Sequence, residues 1–267
     1  MELRNWNYRS EEPINKNISF ELSALVNADS FVFGVFDHAR DLKLADAKSW
    51  SELMDTDLDQ LVSDVKIRKT KLGVMNSLFS IVPESEFKLS HSSIFLGHVC
   101  DLMDAEHHMI RNDYSERFQL RVIYAVEKDV IKKVQESLVS PSLSHFVYAC
   151  IDSMPDTSQQ AVRVVKIGDQ AVILVTQGDR LILANQYTIH TDSDILYYLS
   201  LIFERLGLDR EQQPVEIVGE VEKTGSLYSL LSQYYGELMI PAEPQLISTA
   251  TIADHVYHPL YYISKCA

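Results

Sequence analysis

The sequence is poor in the features that assign a role at sight. Its three cysteines, Cys100, Cys150 and Cys266, are far apart and odd in number. That argues against a disulfide framework and fits a reducing compartment. No apolar run approaches the roughly 20 residues of a membrane-spanning helix. The opening residues, MELRNWNYRSEEPINKN, are polar and charged and lack the apolar core of a secretion signal. A cytoplasmic protein without direct membrane insertion is predicted. Dense basic runs are missing too. With 24 Lys and Arg against 38 Asp and Glu, the net charge is −14, which disfavours nucleic acid as a partner. Lys66, Arg68, Lys69 and Lys71 come closest to a basic cluster. They are read as cations complementing the C-terminal end of a preceding helix.

Catalytic signatures are equally scarce. There is no Walker loop, no Gly-x-Ser-x-Gly elbow and no HExxH, so P-loop chemistry and nucleophilic hydrolysis have no support. Asp104, Glu106, His107 and His108 gather potential metal ligands, but adjacent residues point apart and no partner stands at ligand spacing. They are read as a polar loop. No catalytic residue and no metal site is assigned.

What is present is organised around Gln160–Asp209. Ala161–Ile167 and Ala171–Thr176 are rich in Val and Ile and read as strands. Gly168-Asp169 between them is a two-residue hairpin loop. Gln177-Gly178-Asp179 marks a second turn, and Leu181–Ile189 a third strand. Apolar residues on both faces predict a sheet covered on two sides. Thr191 and Asp194 then have capping-box spacing. Ile195, Leu196, Leu199, Ile202, Phe203 and Leu206 form one helical stripe, which Gly207 ends. Val215–Val218 reads as a strand, Ser226–Tyr235 as a helix and Glu237–Pro241 as a last strand.

The first half opens in the same order. Ile18–Val26, Phe31–Phe36 and Arg40–Ala47 read as strands. A second capping-box spacing, Thr56 and Asp59, precedes a stripe through Leu58, Leu61, Val62 and Val65. Val74–Val82 is a strand stopped by Pro83. Helices are expected over Ser90–Met103, Glu127–Leu138 and Ser144–Met154, with a strand pair at Met109–Asp113 and Phe118–Ala125. Asp37 is read as a turn residue. The tail from Leu246, with Tyr257, Tyr261 and Tyr262, has strand-like pieces. The predicted fold class is α/β: duplicated ribonuclease H-like (actin-like ATPase) lobes, with mixed sheets flanked by helices. The first lobe is assigned to residues 1–157 and the second to 158–245, with 246–267 as a tail of unknown placement.

The segments FELSALVNADSFVFGVFD, LFSIVPESEF and NQYTIHTDSDILYYLSLIFERLGLD resemble an uncharacterised bacterial family given an actin-like ATPase fold. More distantly, the chain is similar to the actin-like assembly proteins of type IV pili and secretion systems. The resemblance spans about Ile18 to Ile240. It implies two lobes facing a cleft, with two phosphate-wrapping hairpins that each carry an Asp near a Gly. Here the first hairpin, LVNADSF, has no glycine, and Asp29 follows its turn. The second, VVKIGDQ, keeps Gly168 but has Lys166 where the pattern has Asp. The adenosine segment, EIVGEVEKTGS, keeps Gly219, places Glu220 beside it, and brings Gly225 and Ser226 late.

A non-catalytic actin-like scaffold or protein-binding protein follows, with degenerate phosphate motifs, no cofactor, and a protein partner or a homo-oligomer. The alternative is a divergent ATPase binding ATP with Mg through Lys166, Gly168, Asp169, Gly219, Gly225 and Ser226. In that case Lys166 contacts a phosphate; the preferred reading makes it a solvated turn residue. A third reading, a ribonuclease H-like nuclease, lacks the several carboxylates that paired metals require.

Overall fold

The computed structural model describes residues 6–11, 14, 17–27, 30–49, 52, 65–100, 106–241, 245–247 and 254–266. The capping pattern at Thr56 and Asp59, its stripe through Leu58, Leu61 and Val62, and Asp29 and Asp104 lie outside them. The chain divides into two compact units. One is Trp6–Asp152 with Leu260–Ala267, and the other contains Ser153–Pro259.

The N-terminal elements are β1 (Tyr8–Arg9), β2 (Phe20–Val26), β3 (Ser30–Phe36), β4 (Leu42–Ser49), β5 (Ile67–Val74) and β6 (Phe79–Pro83). They are followed by α1 (Ser92–Gly97), β7 (His108–Ser115), β8 (Leu120–Glu127), α2 (Lys128–Ser137), β9 (Pro141–His145) and α3 (Phe146–Asp152). The second unit adds β10 (Gln160–Ile167), β11 (Gln170–Gln177), β12 (Arg180–Thr188), α4 (Asp192–Leu206), β13 (Val215–Gly219), α5 (Ser226–Leu231) and β14 (Leu238–Met239). The last helix is α6 (His258–Lys265). No described helix is long and apolar enough to cross a membrane.

The first unit holds a six-stranded sheet ordered β1-β4-β3-β2-β5-β9 and a three-stranded sheet ordered β6-β8-β7. Strands β2, β5 and β9 run parallel, and the hairpins of β2, β3 and β4 run antiparallel. Every residue of β3 is buried, so this sheet is covered on both faces. Asp37 is a turn residue: its Oδ1 accepts the amides of Ala39 at 2.9 Å and Asp41 at 3.0 Å.

Several expectations are corrected. Arg68, Lys69 and Lys71 lie on β5, beside β2, and the helix expected before them falls outside the described residues. The long lysine stem lets Lys71 be buried while its ammonium reaches the Cys266 carbonyl. Val74–Val82 is not one strand. After the Met75 amide bonds Val26 O at 2.8 Å, Asn76 turns the chain: its Oδ1 accepts the Leu78 amide at 3.0 Å and its Nδ2 donates to Ala125 O at 2.9 Å. The apolar run therefore passes from one sheet into the other. Within Ser144–Met154, Ser144 and His145 belong to strand β9 and the helix begins at Phe146. The first-half helix expected from Ser90 is a 3-10 turn followed by the short α1. Ser226–Tyr235 forms a helix only to Leu231, and Glu237–Pro241 a strand only over Leu238–Met239. The tail read as strand-like is helical from His258.

Residues Leu260–Cys266 pack within the first unit. A Cβ on Gly34 would stand 3.1 Å from Leu260 Cδ1, and one on Gly73 would stand 2.7 Å from Ile263 Cδ1. Arg40 donates to Ser264 O at 2.8 Å and Ser264 Oγ at 3.0 Å. Together with Lys71 it places cations at the carbonyl end of α6, where the helix dipole favours them. Gly73→Ala is expected to cost about 1–3 kcal/mol by overpacking. Urea unfolding measures it, and Gly73→Ala with Ile263→Val, which removes the nearest methyl, should recover part of the loss.

In the second unit, the sheet order is β12-β11-β10-β13-β14. Strand β10 pairs antiparallel with β11 and parallel with β13. Val164, Ile173, Val175 and Ile217 of the sheet meet Ile195, Leu199, Ile202 and Phe203 of α4 in one core. The Asp194 carboxylate accepts the backbone amides of His190 and Thr191, each at 2.8 Å. Gly207 closes α4 at φ 66°.

Candidate functional site

The candidate residues lie at the β10–β11 hairpin, the end of β13 and the start of α5. Ile167 faces Gln170 across the two-residue loop. Gly168 takes φ 57°, as the first loop position of such a turn requires. Lys166 lies beside Gly219 in the parallel β10–β13 ladder. Gly219 has φ 89°, and a Cβ there would stand 2.1 Å from Lys166 O. This close approach lets the Glu220 amide reach Lys166 O at 2.9 Å. It also aims the Glu220 side chain at the hairpin.

The hairpin's polar groups are bonded within the chain. The Gly168 amide donates to Glu220 Oε2 at 2.9 Å. Lys166 Nζ donates to Gly168 O at 3.1 Å. The Asp169 carbonyl accepts the Ile189 amide at 2.6 Å. Lys166 is therefore half-buried and bonded to its own turn rather than free in solvent.

Gly225 and Ser226 stand apart from this cluster in their contacts. The Gly225 amide bonds Glu222 O at 2.9 Å. Ser226 Oγ donates to Asp192 Oδ2 at 2.5 Å, joining the first turns of α5 and α4. The structure thus gathers Lys166, Gly168, Asp169 and Gly219, and adds Glu220, which the sequence showed only as a departure from a glycine pair. No sequence rule links a carboxylate to an amide 52 positions away.

A second polar cluster went unseen in the sequence. In the first unit, the His145 amide donates to Asp113 Oδ2 at 2.6 Å. The His145 ring lies between Phe79 and Tyr124, with centroids 4.7 and 5.2 Å away, and its Nε2 is 3.2 Å from Asn76 O. Burial pushes Asp113 up to about 7, against bonds from the His145 amide and Tyr124 and the Arg111 charge. Burial holds His145 down at about 3, against its bond to Asn76. A cavity of about 190 Å³ nearby is lined by Val26, Asn27, Met75, Asn76, His108 and Glu127. Among the described residues no group of three or more His, Cys, Asp or Glu could hold a metal ion.

The family described as a protein of unknown function (DUF3822) matches residues 11–238. The chain belongs to that family. No curated protein matches the sequence. Solved structures carry the fold of this DUF3822 member further. It is similar to a Bacteroides thetaiotaomicron protein with an actin-like ATPase fold and unknown function, at 14% identity, with a TM-score of 0.69, covering 86% of this chain and 94% of that one. It is also similar to a chain of the PilM–PilN type IV pilus biogenesis complex, at 13% identity and a TM-score of 0.61, covering 94% of this chain and 98% of that one. The DUF3822 chain has an actin-like ATPase fold. At these identities the likeness speaks of the fold alone.

Proposed function

We propose that this protein is a non-catalytic actin-like scaffold, acting in the cytoplasm by binding another protein or itself. The observation that supports this reading is the Glu220 carboxylate on the Gly168 amide. In a phosphate-wrapping hairpin that amide is a donor for the ligand. Here it is already satisfied by an internal anion, which also repels an incoming phosphate. Lys166, in the position of a metal-orienting carboxylate, bonds Gly168 O and cannot ligate a cation. Ser226 gives its proton to Asp192. These residues do not fit a magnesium-bound triphosphate, and no hydrolytic step is assigned to them. The neighbour caught as a PilM–PilN complex is a precedent for partnering by a protein of this fold.

Thermal melts with Mg-ATP test the reading, because a ligand bound only to the folded state raises its apparent stability. At roughly 1 mM Mg-ATP no shift is expected, since binding weaker than that concentration stabilises by less than about 0.4 kcal/mol. Micromolar binding by calorimetry, lost in Gly168→Asp, would overturn it in favour of a divergent ATPase.

A further inference from the structure

Strand β12 is an edge of the second unit's sheet. β11 pairs along one side, and no described strand pairs along the other. Exposed edges are usually blunted by lysine, proline or inward-pointing charge. From Leu181 to Thr188 this strand has no charged residue and no proline. Its interruptions are a bulge opposite Val175 and Thr176 and a local bond, the Gln186 amide to Asn185 Oδ1 at 3.0 Å.

Helix α4 stands over this edge. β12 and β13 both run parallel to β10, so the helix connecting them runs back against β12. Tyr187 of β12 stacks on Tyr198 of α4, with centroids 4.1 Å apart. That contact fixes which flank overhangs the edge. The other flank is turned to α5 and the residues after it, through Ser200 Oγ and Tyr235 Oη at 3.1 Å. Steps of three and four from Tyr198 put Asp194, Leu201 and Arg205 on the overhanging flank. Leu201 is 38% exposed, and Tyr197, edge-on to Tyr198, is 62% exposed.

The row Asp194, Tyr198, Leu201, Arg205 is its own complement when reversed. Laid antiparallel on a copy, Asp194 meets Arg205 and Tyr198 meets Leu201, twice over. At about 1.5 Å per helical residue the row's midpoint is about 2 Å along α4 from Tyr198, less than one strand residue of about 3.3 Å from Tyr187, which places it close to Gln186 of β12. A two-fold axis through Gln186 therefore serves helix and strand together. In that register Ala184 faces Thr188 and Asn185 faces Tyr187, so no like charges meet.

We propose that this protein forms a two-fold dimer through β12 and the Asp194–Arg205 flank of α4, with the two five-stranded sheets joined edge to edge. The net charge of −14 opposes self-association in general. This edge is a place where neither copy brings surplus acid. The mate's strand has to displace the Asn185 side chain from the Gln186 amide. The inference deepens the scaffold reading by naming a second copy as the partner.

Sedimentation of the full chain at about 100 µM tests it, a concentration that populates any dimer of micromolar Kd. A species of twice the 30.5 kDa chain mass is expected. Arg205→Glu and Leu201→Lys should each weaken it at least about tenfold. Mixing Arg205→Glu with Asp194→Lys should restore dimers as heterodimers only, because each acid again meets a base. Circular dichroism checks that each variant folds, and Leu201→Lys, away from the helix cap, keeps the test decisive if Asp194→Lys does not. A monomeric parent, a dimer indifferent to the single variants, or no recovery in the mixture overturns the proposal. A monomer that also ignores Mg-ATP removes the dimer alone and leaves the scaffold reading standing.

Discussion

Gly219→Ala is expected to destabilise the second unit by about 3 kcal/mol or more, and to loosen the β10–β11 hairpin with it. Two effects add. The backbone at φ 89° is one that L side chains rarely adopt, and the new methyl would stand 2.1 Å from Lys166 O, a backbone atom that cannot turn aside. Relief requires β10 and β13 to separate where Lys166 and Gly219 are paired. That breaks the Glu220 amide bond to Lys166 O and takes the Glu220 carboxylate off the Gly168 amide. Gly178→Ala is the control. It shares the positive φ, at 60°, but nothing lies within 4 Å of its added Cβ. It should cost only about 1–2 kcal/mol, the strain of the left-handed conformation alone. Urea unfolding of both variants, with amide exchange at Gly168, separates the contributions. Equal losses in the two would show that the close approach contributes nothing.

The second large effect is in the pH dependence of stability. Asp113 ordinarily titrates near 3.8 and rises to about 7 in the fold; His145 ordinarily titrates near 6.5 and falls to about 3. At pH 5 the unfolded chain carries an ionised Asp113 and a protonated His145. The folded chain carries both neutral. The number of bound protons is the same, so their contributions to the pH slope cancel between about pH 4 and 6.5. Each variant exposes the other group. With Asp113→Asn only His145 remains, and its lowered folded value makes stability fall as pH drops from 6.5 towards 3. With His145→Gln only Asp113 remains, and its raised folded value makes stability fall as pH climbs from 4 through 7. Each slope should approach about 1.4 kcal/mol per pH unit, up to a total on the order of 4 kcal/mol. Asp113→Asn should also be more stable than the parent above pH 7, where burying an ionised carboxylate is costly. The neighbouring groups do not disturb this window. Burial raises Tyr124 and Tyr148, and pushes Cys266 up to about 12. Parallel pH profiles for the parent and both variants would sink the assignment.

The second unit was legible because its signals are local. Gly168-Asp169, Gly178, the Thr191–Asp194 pair and Gly207 each punctuate an element where the sequence changes period. The first unit was harder. The run from Val74 to Val82 is mostly apolar, yet serves two sheets, and it turns at Asn76, whose local bond from the Leu78 amide is joined by a long-range one to Ala125 O. The tail misled through composition. Tyr257, Tyr261 and Tyr262 suit a strand, but Leu260 and Ile263 are spaced for a helix lying on glycine-lined strands, a tertiary reason for helix. At the candidate site, the sequence named Lys166, Gly168 and Gly219 but not what binds them. The role of Glu220 depends on two strands meeting in one register, and that is settled only by the fold.

The packing of Leu260–Ile263 onto Gly34 and Gly73 has a consequence for how the chain is born. On the ribosome, the unit begun first cannot be completed until the segment forming the other unit has been synthesised. At roughly 5–20 residues per second, that wait is on the order of ten seconds. The later-made unit, whose described residues are contiguous in sequence, has the chance to mature first. During the interval the surface around Gly34 and Gly73 lacks the cover that Leu260 and Ile263 give it.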